Sequence, residues 1–211
     1  MVATRRNKSL EPKYKTGTFI KELLKPFGKT SQKQKDKRRT LAINELKYFA
    51  QKYFPHHLTE KPSSMHEDMF LRYQLQVINS ESSGRGGKEA LAAPRGNAKS
   101  TLSTLILPLW CIAGARKKFI VIISDTTEQA EEFLDGIKSE LEANERLIED
   151  FPEACGSGRI WKASKLITEN GVAVRCWGKR KRLRGARHGN RRPDLVICDD
   201  LEDDENIDSP D

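Results

Sequence analysis

The stretch "LAAPRGNAKSTL", residues 91–102, decides how the rest of the chain is read. A phosphate-binding loop of the strand–loop–helix kind takes Gly, four residues, then Gly-Lys-Ser/Thr. Here Lys99 and Ser100 stand at the proper offset, but Ala93 and Ala98 hold the two glycine places. Such a loop works because consecutive backbone N–H groups at a helix N-terminus wrap a phosphate, the lysine neutralises its charge, and the hydroxyl binds Mg²⁺. Glycine serves there for positive φ and close backbone approach. Ala98 at positive φ would cost about 1 kcal/mol, which several charge-assisted bonds to a triphosphate outweigh. Gly96 and Asn97 keep the loop slim. The loop's nucleotide-binding set would comprise Gly96, Asn97, Ala98, Lys99, Ser100 and Thr101.

Working outward, "KEALAA" (88–93) reads as a short buried strand leading into the loop, and Leu102, Leu105, Ile106 and Leu109 as the apolar side of the helix after it. "KKFIVIIS" (117–124) is the clearest strand, an unbroken β-branched run covered on both faces. "TTEQAEEFLDGIKSELEAN" follows as a capped amphipathic helix, and "KLITENGVAVRCWG" as a hairpin turning at Asn170-Gly171. "PDLVICDD" closes the pattern as a buried strand ending in carboxylates. The class is α/β with a mainly parallel sheet. Upstream, the spacing predicts a helix over 36–54 stopped by Pro55, and a second from "SSMHE", with Ser64 and Glu67 as a capping box, to about Asn79. Residues 80–87 read as a linker. The chain thus divides into a basic, largely disordered arm (1–35), a helical N-terminal part (36–87) and an α/β core (88–211).

Net charge is +8, and residues 1–40 hold thirteen Lys/Arg against three Asp/Glu, so the remainder is slightly acidic. A basic arm without an aromatic-studded amphipathic face suits nucleic acid better than a membrane. Cys111, Cys155, Cys176 and Cys198 are too scattered for a zinc site or a disulfide framework, and "LILPLWCIA" (105–113) is too short to span a bilayer. These features predict an intracellular, cytoplasmic chain.

"LVICDD" (195–200) has the form of a Walker B strand, four apolar residues and two acids. Asp199 then holds Mg²⁺ through water, and Asp200 polarises the attacking water where Glu is usual, with Glu202 as the alternative. Between loop and acids lies "GKRKRLRGARHGNRRPD", with eight Lys/Arg among the fifteen residues 178–192. Arginines among glycines before such a strand suit contact with phosphates, of DNA or of a nucleotide on a neighbouring subunit.

With these pieces together, "APRGNAKSTL" and "RGARHGNRRPDLVICDDLEDDE" resemble the large subunit of tailed-bacteriophage terminase, over roughly residues 60–208. The resemblance implies a P-loop ATPase of the additional-strand type with a helical lid, using ATP and Mg²⁺ to drive double-stranded DNA into a procapsid in a bacterial host. It also implies a portal protein and a small terminase subunit as partners, and a homo-oligomer on the portal. Residue by residue, Lys99 and Ser100 bind phosphate and Mg²⁺, Arg95 contacts the γ-phosphate region, Asp199 is the Walker B acid and Asp200 the catalytic carboxylate. Arg184 and Arg187 sense or complete a neighbouring site. Members of that family continue into further strands and a nuclease domain, so the sheet is expected to be incomplete here and DNA cleavage absent. Two other readings stand beside this one: a nucleic-acid-binding protein with a vestigial P-loop, and another P-loop motor such as a helicase.

Overall fold

The structure is a computed structural model that describes residues 16–94, 96–179 and 186–201. Its centre is β1 (Phe119–Ser124), the run "FIVIIS", every residue of which is buried. Its alternation divides the interior. Ile120 and Ile122 join the large core beneath the helices, while Phe119, Val121 and Ile123 face a smaller cluster with Ile167 and Ala173. β1 pairs in parallel with β4 (Ala173–Gly178) on one edge and with β5 (Leu195–Cys198) on the other. β2 (Ile160–Lys162) and β3 (Lys165–Ile167) add antiparallel pairs, so the order is β2-β3-β4-β1-β5. The α/β class is as the pattern predicts, but the sheet is mixed rather than mainly parallel. The Asn170-Gly171 hairpin is the reason, with Gly171 at φ 80 turning β3 back into β4.

Seven α-helices, among the described residues, accompany this sheet, and α6 (Thr127–Ala143) packs on β4 and β1. That helix follows β1 as predicted, capped by the Thr126 hydroxyl, which accepts from Gln129 N at 3.1 Å. Gly178 lets the end of β4 pass beneath that first turn, since a Cβ there would lie 2.8 Å from Thr127 N. The helix predicted over 36–54 is two, α2 (Gln32–Asn44) and α3 (Leu46–Tyr53), parted at Glu45, whose backbone is extended at φ −132. α4 (Ser64–Ser83) begins one residue earlier than the predicted box. Ser63 is the N-cap and His66, not Glu67, closes the reciprocal bond.

The expectation of a disordered arm through residue 35 is corrected for its described part. α1 (Thr16–Leu23) packs against α6, and Ile20 with Leu24, spaced i and i+4, are buried. Residues 1–15 lie outside the described residues. α2 is fixed to α7 (Glu145–Asp150) by a buried ion pair. Arg38 grips Asp150 through Nε at 2.5 Å and Nη2 at 2.7 Å, while the Tyr53 hydroxyl donates to the same carboxylate at 2.7 Å. Burial, then the bond to Asp150, pushes the Tyr53 phenol far up.

The predicted strand 88–93 does not form, and β5 is less buried than predicted. Residues 85–94 are without helix or strand, and Val196 on β5 is 49% exposed because, among the described residues, β5 pairs with β1 alone. The local cause is composition. "KEALAA" has no β-branched residue, and it sits between Gly86-Gly87 and Pro94. It stands instead across a cleft from β5.

Two stability outcomes follow from these contacts. Arg38→Ala leaves the buried Asp150 carboxylate with the Tyr53 hydroxyl but without its cation, and urea unfolding should record a loss of about 3–5 kcal/mol. Glu140 is 1% exposed and accepts from Asn144 and, on a single oxygen, meets both His56 and His57. Burial pushes its carboxyl up, but those bonds prevail and hold it below the ordinary value. Its contribution is thus present above the unfolded pKa of about 4.3 and lost as pH falls through the lower folded value. The unfolding free energy of Glu140→Gln, less stable at neutral pH, should begin to approach that of wild type as pH falls below about 4.3 and meet it only below the lowered folded value.

Candidate functional site

The loop between Pro94 and Lys99 turns through left-handed backbone. Gly96 has φ 81 and Ala98, at the second glycine place, φ 48. The position therefore demands the conformation that glycine supplies, and alanine meets it with some strain. The Asn97 side chain donates to Pro94 O at 3.2 Å, and Leu102 N closes the first turn on Ala98 O at 3.1 Å. Helix begins at Lys99, becomes π-helical over Thr101–Ile106 and continues as α5 (Leu107–Ala113). Hydroxyls bond back into it, Ser103 to Lys99 O at 3.0 Å and Thr104 to Ser100 O at 2.7 Å. Trp110, fully buried, anchors the far end by donating to Ala42 O at 2.9 Å.

The acids arrive from the sheet. Asp199 N continues the ladder by donating to Ile123 O at 3.0 Å, so its position is set by β1. Its side chain is buried, and Oδ2 has no hydrogen-bond partner among the described residues. Burial first and the Asp199 charge second push the Tyr73 phenol up to about 12. Asp200 adopts φ 53 and faces α6, its Oδ2 accepting from Gln129 Nε2 at 3.2 Å. Ser124 in turn donates to Gln129 Oε1 at 2.8 Å.

Lys99, Ser103, Tyr73, Asp199 and Asp200 share a cleft of about 430 Å³, closed on its other side by residues 89–91. Two stretches a hundred residues apart thus meet there. Gly96, Asn97 and Ala98 line a second hollow of about 360 Å³, with His57–Pro62, His66 and Phe70. The loop is the wall between the two. Lys99 has no carboxylate within ion-pair distance among the described residues. A buried carboxylate oxygen left unpaired costs about 1–3 kcal/mol, and a hard, oxygen-preferring cation such as Mg²⁺ removes that cost. At Asp199 one carboxylate oxygen is left for such a cation. Ser100 caps the π-helical turn and does not line the 430 Å³ cleft.

Arg95, Arg184 and Glu202 lie outside the described residues. Arg187 is exposed on the segment before β5, beside an isolated His188–Arg191 bridge. Three residues with site roles were missed in the sequence: Gln129, Tyr73 and Asp194. Asp194 accepts from Lys118 N at 2.7 Å and Phe119 N at 2.9 Å, fixing the start of β5 against that of β1. Gln129 had a readable signal, since Thr126 and Gln129 have capping-box spacing. Among the described residues one group has metal-ligand spacing: His56, His57 and Glu140. It is a hydrogen-bonded clamp. Both Nε2 atoms meet the same Glu140 oxygen, at 2.8 and 2.9 Å, and His56 Nδ1 is buried with no acceptor, whereas a metal-bound imidazole donates its second N–H to one.

Comparison with protein-family models, with curated proteins and with solved structures gives no match.

The strained alanine gives a direct outcome. Ala98→Gly should raise the urea unfolding free energy by up to about 1 kcal/mol, and Ala98→Val should lower it by more than that. Equal stability of all three chains would mean that the left-handed turn carries no cost.

Proposed function

We propose that this chain is an ATP-hydrolysing motor subunit, or the N-terminal ATPase part of one, that packages double-stranded viral DNA into a procapsid. The observation that carries the reading is the buried, unpartnered Asp199 carboxylate in one cleft with Lys99. At the end of an ordinary strand nothing requires a carboxylate to be buried without a partner. ATP is the substrate. The N–H groups of the 96–100 turn and the Lys99 ammonium bind its phosphates, with the helix N-terminus adding a favourable field. Asp199 would hold Mg²⁺, which supplies charge neutralisation on the phosphates, whereas Ser100, which does not line that cleft, has only the Mg²⁺ role that the terminase resemblance implies. Asp200, oriented by Gln129, accepts a proton from the attacking water. Arg95, Arg184 and Arg187 keep the roles that the terminase resemblance implies, and Glu202 stands as the alternative to Asp200. The partners it implies, portal protein and small terminase subunit, belong to the same proposal, as does assembly of several copies on the portal.

One observation favours a second reading, a nucleic-acid-binding protein with a vestigial loop. Residues 88–93 do not enter the sheet, so the loop lacks the strand that usually supports it. The two readings separate on Lys99. Isothermal titration of the folded chain with ATP and Mg²⁺ should show binding that Lys99→Ala weakens at least tenfold, with urea stability unchanged. No binding by the wild-type chain would overturn the ATPase reading. DNA binding that survives Lys99→Ala but fails on deletion of residues 1–15 would then favour the second. That deletion is preferable to one through residue 40, because Ile20, Leu24 and Arg38 belong to the folded core.

A further inference from the structure

His66 joins the N-terminus of α4 to the phosphate loop through both ring nitrogens. Ser63 N donates to Nδ1 at 3.1 Å. A backbone N–H can only donate, so Nδ1 carries the lone pair and the ring proton is on Nε2. Nε2 therefore donates to the Asn97 carbonyl, 2.8 Å away. The Ser63 hydroxyl, 2.9 Å from Nδ1, also accepts from the backbone N–H of His66. The imidazole is thereby held in one tautomer by the helix cap, and its only ring proton points at the loop.

The carbonyl it holds belongs to the residue between Gly96 and Ala98, both left-handed. We propose that His66 is a positioning residue, whose neutral ring locks the 96–98 turn in the conformation that aims its N–H groups at phosphate. The inference rests on the nucleotide reading for its consequence, but the lock itself is a property of the free chain. An ordinary capping box at this site needs only an acceptor at N3, which Glu or Gln supplies. Histidine adds a donor on the opposite side of the ring, and that donor meets the loop across a sequence separation of thirty-one residues.

Four chains test it: wild type, His66→Ala, His66→Gln and Ser63→Ala. Glutamine keeps an acceptor for Ser63 N and a donor for Asn97 O, whereas Ser63→Ala weakens the helix cap and keeps the ring's bond to the loop. Amide hydrogen exchange of the peptide covering residues 96–102 reads the lock without nucleotide. His66→Ala should speed that exchange about tenfold, the equivalent of about 1.4 kcal/mol, while His66→Gln and Ser63→Ala stay near wild type. Titration with ATP·Mg²⁺ should follow the same order, with affinity about tenfold lower for His66→Ala alone. Unchanged exchange in His66→Ala, or equal effects from His66→Ala and Ser63→Ala, overturns the lock. Altered exchange in a chain that binds no ATP leaves the lock standing and overturns the nucleotide reading instead.

Discussion

The structure depends on parallel pairing at the two edges of β1. One strand, buried on both faces, holds β4 on one side and β5 on the other, and all three run the same way. Their C-terminal ends therefore emerge together, at the end of an α/β sheet where ligand sites gather. That is why Ser124, Asp125, Lys179, Asp199 and Asp200 meet within a few residues of strand ends. Asp125 N donates to Asp200 O at 3.0 Å, and the Lys179 ammonium pairs with the Asp125 carboxylate at 2.6 Å. Without β1 there is no route by which residues 199 and 200 reach the loop at 96–100.

Strain and uncompensated charge collect at this same end. Ala98 and Asp200 are two of the three non-glycine residues with positive φ among those described, and Asp199 holds a buried oxygen without a partner. Each feature is unfavourable alone by about 1–3 kcal/mol. The surroundings that sustain them are well packed: Trp110 at the far end of the loop helix, Arg38 with Asp150 and Tyr53, and Glu140 with its two histidines. Local strain held by a rigid frame is the arrangement expected of a site built to receive charge.

Much of this was legible because local chemistry settled it. β1 is a β-branched run with no competing periodicity, α6 has a capping threonine and an apolar stripe, and Asn170-Gly171 has a single favoured turn. The left-handed Ala98 was legible as a requirement of its place in the motif. What was not legible depended on partners distant in sequence. "KEALAA" was read as a strand from the loop after it, although alanine, lysine and glutamate have little preference for a sheet. The arm between residues 16 and 35 has a polar composition and no sustained periodicity, and Ile20 and Leu24 need α6 before they count as core. The cap of α4 was placed at Ser64 and Glu67 by the usual residue types, while His66, which completes the cap and reaches the loop, is an uncommon choice at that position. The Arg38–Asp150 pair spans more than a hundred residues, and no local signal marks it.

The central claim is that Lys99 and Asp199 act on one bound nucleotide. A double-mutant cycle on ATP·Mg²⁺ affinity, with Lys99→Met and Asp199→Asn singly and together, measures their coupling in the folded chain. If they serve one ligand, the double variant should lose less than the sum of the single losses, with a coupling of about 1 kcal/mol or more. Strict additivity, or full affinity in Asp199→Asn at saturating Mg²⁺, would contradict it.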